Sequence, residues 1–431
     1  MRVALVTVYS HAGCTLKDVA GGYGTVFEVG DSWRARLLEH AKSRLADLPP
    51  LVLGHLAAQL KAAGHEVRAV EVRDGGLAGA ADADAVVLLS SLVDCEAERR
   101  LLARLRERGV RTFVIGAHAS ARPQRYADVA DVVVRGEPEN LGAALLDLGP
   151  GLAEAGAVED LDALPWPDWS PFPVDRYRYA FLSRGITLPV ASARGCPYAC
   201  GYCPWRVTAA FRERDPARVA AEIAHLRDTY GATGVSFRDP LFNLDPDRVR
   251  ALAHALMPLG MRFSGEMRAD RLDEGLLVLL WRAGLRSLEI GVESVDRGLL
   301  GGHKRKPPPI AQIERVVEVA QRLGIRVICN YLLGLPEDDE RTMRETLQWA
   351  KRLDSFAVQF TVATPYPGTT LEAQAPALPP ESLTGFRPSV PHPTMSEDAL
   401  AALREEAYVS YHFRPRYMWR FARHAAGALF D

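Results

Sequence analysis

Short apolar runs and helical patterns alternate along this chain in two separate series. In the first, Val3–Val8, Val67–Val72, Ala85–Leu92, Thr112–Ile115 and Val129–Val134 are β-branched-rich runs of strand length. Between them, Leu51–Ala63, Glu96–Arg108 and a weaker segment after Glu139 carry apolar residues at helical spacing. Strand–helix alternation predicts a parallel sheet with helices on both faces, so residues 1–150 read as a doubly wound α/β domain. Ligands of such sheets bind beyond the carboxyl ends of the strands. Those ends carry Ser90-Ser91, Gly116-Ala117-His118-Ala119-Ser120 and Gly136-Glu137-Pro138-Glu139.

Residues 151–187 change character. The run Leu164-Pro-Trp-Pro-Asp-Trp-Ser-Pro-Phe-Pro173 denies both helix and regular strand, and predicts an ordered linker packed across a surface. A second alternation fills residues 188–375. Val235–Phe237, Arg262–Gly265, Ser287–Gly291, Arg326–Leu332 and Ala357–Val362 are its strand candidates, with one more strand from Leu188. Pro216–Thr229, Asp247–Leu259, Glu274–Ala283, Ile310–Leu323 and Thr342–Arg352 are the intervening helices. Six βα units are too few for a closed eightfold barrel, so an open, curved partial barrel is expected. Residues 376–431 form a short helical tail, starting at Ser396 and ending in the aromatic, basic stretch Tyr411–Arg420.

Composition narrows the class. The 431 residues are 48% hydrophobic and 25% charged, ordinary globular usage. A formal net charge of −2 argues against a broad nucleic-acid surface. No run of about 18 apolar residues offers a membrane span, and Met1–Tyr9 reads as a strand and not as a signal peptide. A cytoplasmic protein with no membrane or nucleic-acid partner is expected.

Half of the six cysteines fall in Cys196-Pro-Tyr-Ala-Cys200-Gly-Tyr-Cys203. Three thiolates so spaced can hold one inorganic cluster, one ligand short of the usual four. The iron left open is then a place for substrate or cofactor, as in catalytic metal sites. A disulfide lacks an even cysteine framework around it, and zinc would want a second ligand pair. Cys14, Cys95 and Cys329 show no metal spacing and read as structural.

This motif, with Tyr202 before the third cysteine, resembles the signature of the radical S-adenosylmethionine (SAM) superfamily. The resemblance spans about residues 189–372 and implies a (β/α)6 barrel, a [4Fe-4S] cluster held by Cys196, Cys200 and Cys203, and SAM bound at its open iron. The chemistry implied is reductive cleavage of SAM to a 5′-deoxyadenosyl radical that abstracts hydrogen from substrate. An electron donor of the flavodoxin or ferredoxin kind is expected with it. Successive strand ends supply the SAM candidates. Asp239 is the candidate amine acceptor, in place of the more common Gly-Gly-Glu, or else caps its own turn. Arg268 is suited to the SAM carboxylate, or pairs with Asp270 or Glu266. The resemblance puts Glu293 and Ser294 near the ribose, and Asn330, Gly334 and Pro336 at the adenine edge. The run Ala363–Thr369 is also family-like. Nothing identifies a catalytic residue.

A doubly wound, Rossmann-like domain ahead of such a barrel resembles the cobalamin-binding class of the superfamily. That resemblance implies cobalamin at Ser90, Ser91, Gly116, His118, Gly136 and Glu137, with His118 as a satisfied turn histidine the competing reading. No Asp-x-His-x-x-Gly occurs, so a bound cobalamin would be base-off without a protein ligand. The insertion Lys17–Thr25, rich in glycine, reads as a phosphate-cradling loop, a lid over the barrel mouth, or a plain surface loop. The expected activity is modification of a small molecule, a secondary metabolite such as an antibiotic precursor. Cobalamin-dependent methyl transfer to an sp3 carbon leads, and cobalamin-independent dehydration or rearrangement by a lyase or isomerase is the alternative. An RNA methylthiotransferase would need a second cluster, and an iron–sulfur sensor would have no use for SAM-binding strand ends.

Overall fold

The computed structural model describes residues 1–11, 14–73, 76–77, 79–183 and 185–427. The first sheet contains β1 (Arg2–Tyr9), β4 (Glu66–Arg73), β5 (Ala85–Leu89), β6 (Arg111–Ile115), β7 (Val132–Gly136) and β8 (Gly151–Gly156), and its spatial order is β4-β1-β5-β6-β7-β8. Every pairing in it is parallel. The order reverses at β1/β5, the switch point where doubly wound sheets hold ligands. Between β1 and the first helix, the short strands β2 (Cys14–Leu16) and β3 (Thr25–Phe27) pair as a hairpin. The Cys14 side chain lies outside the described residues.

Three elements differ from expectation. Gly151–Gly156, expected in the linker, is the sixth strand; its Gly, Ala and Glu have low strand propensity, and pairing with β7 decides it. Helix α1 (Trp33–Lys42) starts at Ser32, whose hydroxyl accepts from Ala35 N, a cap overlooked in a charged stretch. After Glu139 the chain makes only 3-10 turns, Pro138–Asn140 and Gly142–Asp147. The helices α2 (Leu51–Ala62) and α3 (Cys95–Arg106) follow their patterns.

The second sheet is β9 (Thr187–Val190), β10 (Gly234–Phe237), β11 (Arg262–Met267), β12 (Leu285–Glu293), β13 (Arg326–Leu333) and β14 (Ala357–Val362), in sequential order. All five pairings are parallel, giving the open (β/α)6 barrel. Its outer helices are α4 (Pro216–Tyr230), α5 (Pro246–Leu256), α6 (Glu274–Ala283), α7 (Ile310–Arg322) and α8 (Glu340–Leu353). Local chemistry sets their starts: Asp215, Asp245, Asp273 and Asp339 each accept backbone N–H bonds as N-caps, with proline at the first helical position of α4 and α5. The tail is two helices, α9 (Glu397–His412) and α10 (Pro415–Gly427). The expected single stretch Tyr411–Arg420 breaks because Pro415 cannot continue a helix.

One contiguous core runs from α2 and the first sheet through Trp169 and Phe172 into the barrel. The Pro/Trp segment therefore packs between layers. Trp169 is fully buried, its backbone N–H donates to Tyr230 Oη at 3.0 Å, and a Cβ at Gly54 would come within 2.6 Å of its ring. No helix of the described residues is long and apolar enough to cross a membrane. Trp169→Ala should cost ~3–5 kcal/mol, seen as an earlier urea-unfolding midpoint. An unchanged midpoint would mean that this segment does not join the two sheets.

Candidate active site

The three-cysteine loop leaves the carboxyl end of β9 and is pinned on several sides. Gly195 turns with φ +71, where a Cβ would meet Ala210 O at 2.3 Å. Gly201 N–H donates to His303 O at 2.9 Å, and Gly201 O accepts from Leu371 N at 3.1 Å. Over the loop lies the β2–β3 hairpin, with Gly21 (φ +68) leaving only 3.1 Å between a Cβ and Pro204. The glycine-rich insertion is thus neither a surface loop nor a nest around a phosphate; it packs as a cover on the cysteine loop.

All three thiols are free. Burial, then the charges of Cys200 and Cys196, pushes the Cys203 thiol up to about 12. Thiolates crowded in this way need a cation to take up their charge. Among the described residues no three His, Cys, Asp or Glu side chains converge on one ion. The donor set, three thiols on one loop with an open side, fits a [4Fe-4S] cluster.

From Cys203 a cavity of about 590 Å³ runs down the barrel axis, within the usual range for ligand pockets. Tyr202, Glu293 and Asn330 line it. Glu293 sits in a left-handed conformation (φ 67) at a bulge in the β12–β13 register, and Arg305 Nη2 is 3.2 Å from its carboxylate. Asn330 Oδ1 and Tyr202 Oη are buried with no hydrogen-bond partner, which suits a bound polar ligand.

The other SAM candidates are already engaged. Asp239 accepts from Ser192 N at 2.7 Å and from Ser192 Oγ at 2.5 Å, so it braces the approach to the cysteine loop and caps no turn of its own. Arg268 makes a bidentate pair with Asp270 at 2.9 and 2.7 Å, donates to Lys306 O, and lies 4.6 Å over the Tyr198 ring. In this structure its guanidinium is paired with Asp270, as one of the two expected arrangements has it. Ser294 Oγ accepts from Asp296 N at 3.1 Å. Gly334 turns with φ +73 against Leu400, its N–H donating to Asp338, and Pro336 is half-buried beside it.

The sheet-edge candidates pack within the protein as well. Ser90 Oγ donates to Ile115 O and accepts from Ala119 N. Ser91 Oγ donates to Glu98 and accepts from Lys17 Nζ, which also bonds Asp94 and Glu98. His118 is buried against Tyr126, 3.0 Å from its Oη, and burial lowers it to about 4, which is the satisfied-histidine reading. Gly116 (φ +105) is crowded by Leu89 and Ser90, and Gly136 (φ +100) by Gly156. Glu137 holds Arg212 at 2.6 and 2.9 Å and Glu139 holds Arg194 at 2.8 Å, joining this edge to the cysteine-loop flanks. Tyr23 stacks on Tyr366 with centroids 5.9 Å apart and donates to Pro367 O at 2.9 Å. The edge faces the barrel mouth, with the hairpin seated against it.

Sequence reasoning passed over Arg238, Glu266, Glu289 and Arg305, and over α1 and the tail as cavity walls. Their signal was present: polar residues at every second position of a buried strand, Ser287, Glu289, Glu293, mark a polar barrel interior.

Residues 190–350 match the family model described as the Radical SAM superfamily. An uncharacterized methyltransferase of Pyrococcus horikoshii is 26% identical over 70% of this chain and 73% of its own length. The bacteriochlorophyllide d C-8(2)-methyltransferase of Chlorobaculum tepidum is 25% identical over 67% of this chain and 68% of its own. Among solved structures, the radical SAM methyltransferase TsrM of Kitasatospora setae, with cobalamin and a [4Fe-4S] cluster bound, superposes with TM-score 0.59 at 15% identity, covering 86% of this chain and 77% of that one. Residues 190–350 are thus a radical SAM domain, and the chain is an enzyme with the fold of the radical SAM methyltransferases that carry an N-terminal cobalamin-binding-type domain. The cofactors of this class are a [4Fe-4S] cluster and SAM.

Burial raises the Asp239 carboxyl from its ordinary 3.8 to about 6, against the pull of its Ser192 bonds. A raised folded value means that its contribution to stability is full below the unfolded pKa and is lost as pH rises through about 6. Asp239→Asn should flatten that decline in melting temperature of the cluster-free protein. An equal decline in the variant would show that ionising Asp239 carries no penalty.

Proposed function

We propose that the protein is a radical SAM methyltransferase acting on an sp3 carbon of a small molecule held in the barrel cavity, with cobalamin as methyl carrier. The single observation that carries the site is the continuity of that cavity with Cys203; the methyltransferase relatives support the reaction type. Cys196, Cys200 and Cys203 would hold the cluster, and Glu293 with Tyr202 and Asn330 would hold SAM below it. Bound together, the reduced cluster and SAM supply the hydrogen-abstracting 5′-deoxyadenosyl radical. Glu293 would orient the ribose by accepting its hydroxyls; burial raises its carboxyl, and the Arg305 charge opposes that rise. Asp239 and Arg268 would act as positioning residues, fixing the loops on which these groups stand. A flavodoxin- or ferredoxin-type donor in a reducing, cytoplasmic setting would supply the electron.

The second reading turns on the position of the hairpin. Tyr23 and Lys17 occupy the carboxyl edge of the first sheet, so cobalamin could lie there only with the hairpin displaced. If the hairpin stays, the reading is cobalamin-independent dehydration or rearrangement, with the first domain a scaffold.

The two readings differ in products. Methyl transfer consumes two SAM, yielding one S-adenosylhomocysteine and one 5′-deoxyadenosine per methylated product, in protein that shows corrin absorbance. Full turnover by cobalamin-free protein, with 5′-deoxyadenosine and no S-adenosylhomocysteine, would overturn it in favour of the alternative. Two variants test the shared machinery. Replacing the three cysteines with alanine should abolish iron binding and the reduced-cluster EPR signal that SAM perturbs. Glu293→Ala should weaken SAM binding by ~1.5–3 kcal/mol through loss of a charged acceptor, whereas an unchanged affinity would move the ribose elsewhere.

A further inference from the structure

Below the Glu293 level the cavity has two unlike walls. Glu266 on β11 and Glu289 on β12 are register partners, and both face the cavity. In the same layer, Ile328 on β13 pairs with Glu289, and Ala357 on β14 pairs with Ile328; both of these line the cavity too. One half of the layer is thus acidic and the other hydrocarbon. The apolar half continues outward over Phe181 and Leu38 to Phe413 and Phe421 of the tail.

Of the nearby cations, Arg238 acts on both carboxylates through space, although its hydrogen bonds go to another partner. Arg238 makes two 3.0 Å bonds to Asp18, Arg305 pairs with Glu293, and Lys42 donates to Gln359 and lies 3.9 Å over the Phe27 ring. Glu289 accepts one bond, from Tyr179 Oη at 3.1 Å. Burial first, and then the charge of Glu289, raises the Glu266 carboxyl, while Arg238 opposes the rise. The lining therefore presents acceptors in excess of donors, which a bound group rich in N–H would satisfy. SAM's own cationic groups do not answer this need. Glu289 lies four residues down β12 from Glu293, roughly 13 Å at ~3.3 Å per residue, away from the cysteine loop.

We infer that the substrate carries an ammonium group, seated between Glu266 and Glu289, on an apolar body that lies along β13, β14 and the tail. This rests on the barrel cavity being the substrate site and adds the class of substrate. The apolar wall places the hydrocarbon, and the two carboxylates fix its orientation.

Three probes of one shape test it on the full chain with its cluster and SAM bound: 4-phenylbutylamine, 4-phenylbutan-1-ol and 4-phenylbutanoate, followed by calorimetry. The amine should bind about ten- to hundredfold tighter than the alcohol, with the carboxylate weakest. Glu266→Gln/Glu289→Gln should remove the preference for the amine, and its iron content and melting curve report whether the barrel has folded. The comparison of probes on the unaltered chain needs no variant. Equal binding of amine and alcohol, tighter binding of the carboxylate, or no saturable amine binding at millimolar concentration would overturn the inference. Failure of the radical SAM reading would instead appear as absence of 5′-deoxyadenosine, which none of these probes reports.

Discussion

Crowding three thiols on one short loop is the constraint to which the surrounding structure answers. Thiolates so close raise one another's pKa and gain nothing from burial, so the loop must be held open for a cation by forces outside itself. Backbone bonds from His303 and Leu371 grip it from the barrel side, and Gly195 turns it where any side chain would strike Ala210. The strand ahead of it is braced by Ser192 against Asp239. From the other side, Glu137 and Glu139 hold Arg212 and Arg194 on its two flanks. Such largely buried pairs add little net stability, but losing one partner strands a charge at about 3–5 kcal/mol. Their contribution here is fixed geometry.

The same logic explains why the two sheets meet as they do. The hairpin that covers the cysteine loop grows from the first sheet, and Asp18 on it pairs with Arg238 at the end of β10. Tyr23 fills the gap between Leu92 and the Tyr366–Leu383 segment. The tail closes the far side: Arg404 donates to Glu28 O and Val29 O, and Glu405 accepts from Asp31 N. Cavity, cysteine loop and cover are thus built by segments far apart in the chain.

Parallel sheets covered on both faces normally read as continuous apolar runs. Here Leu288, Ile290 and Val292 are buried in the core, while Glu289 and Glu293, on the alternate positions, face the cavity. A barrel interior of this kind carries polar groups that the protein satisfies only in part. That incompleteness concentrates binding energy inside the barrel.

The chain by itself determined the six barrel units, the capped helices between them and the cysteine motif. These depend on period, capping and spacing, all local properties. Helix Glu274–Ala283 and strand Ala357–Val362 have the expected ends. Tertiary structure alone decided that Gly151–Gly156 is a strand, because only pairing with β7 overrides its weak propensity. It decided that Asp239, Arg268 and Glu137 face protein partners, since a buried polar group's orientation follows whichever donor or counter-charge the fold brings within reach. It also decided that Glu266 and Glu289 stand side by side, a matter of strand register between segments that no local pattern encodes.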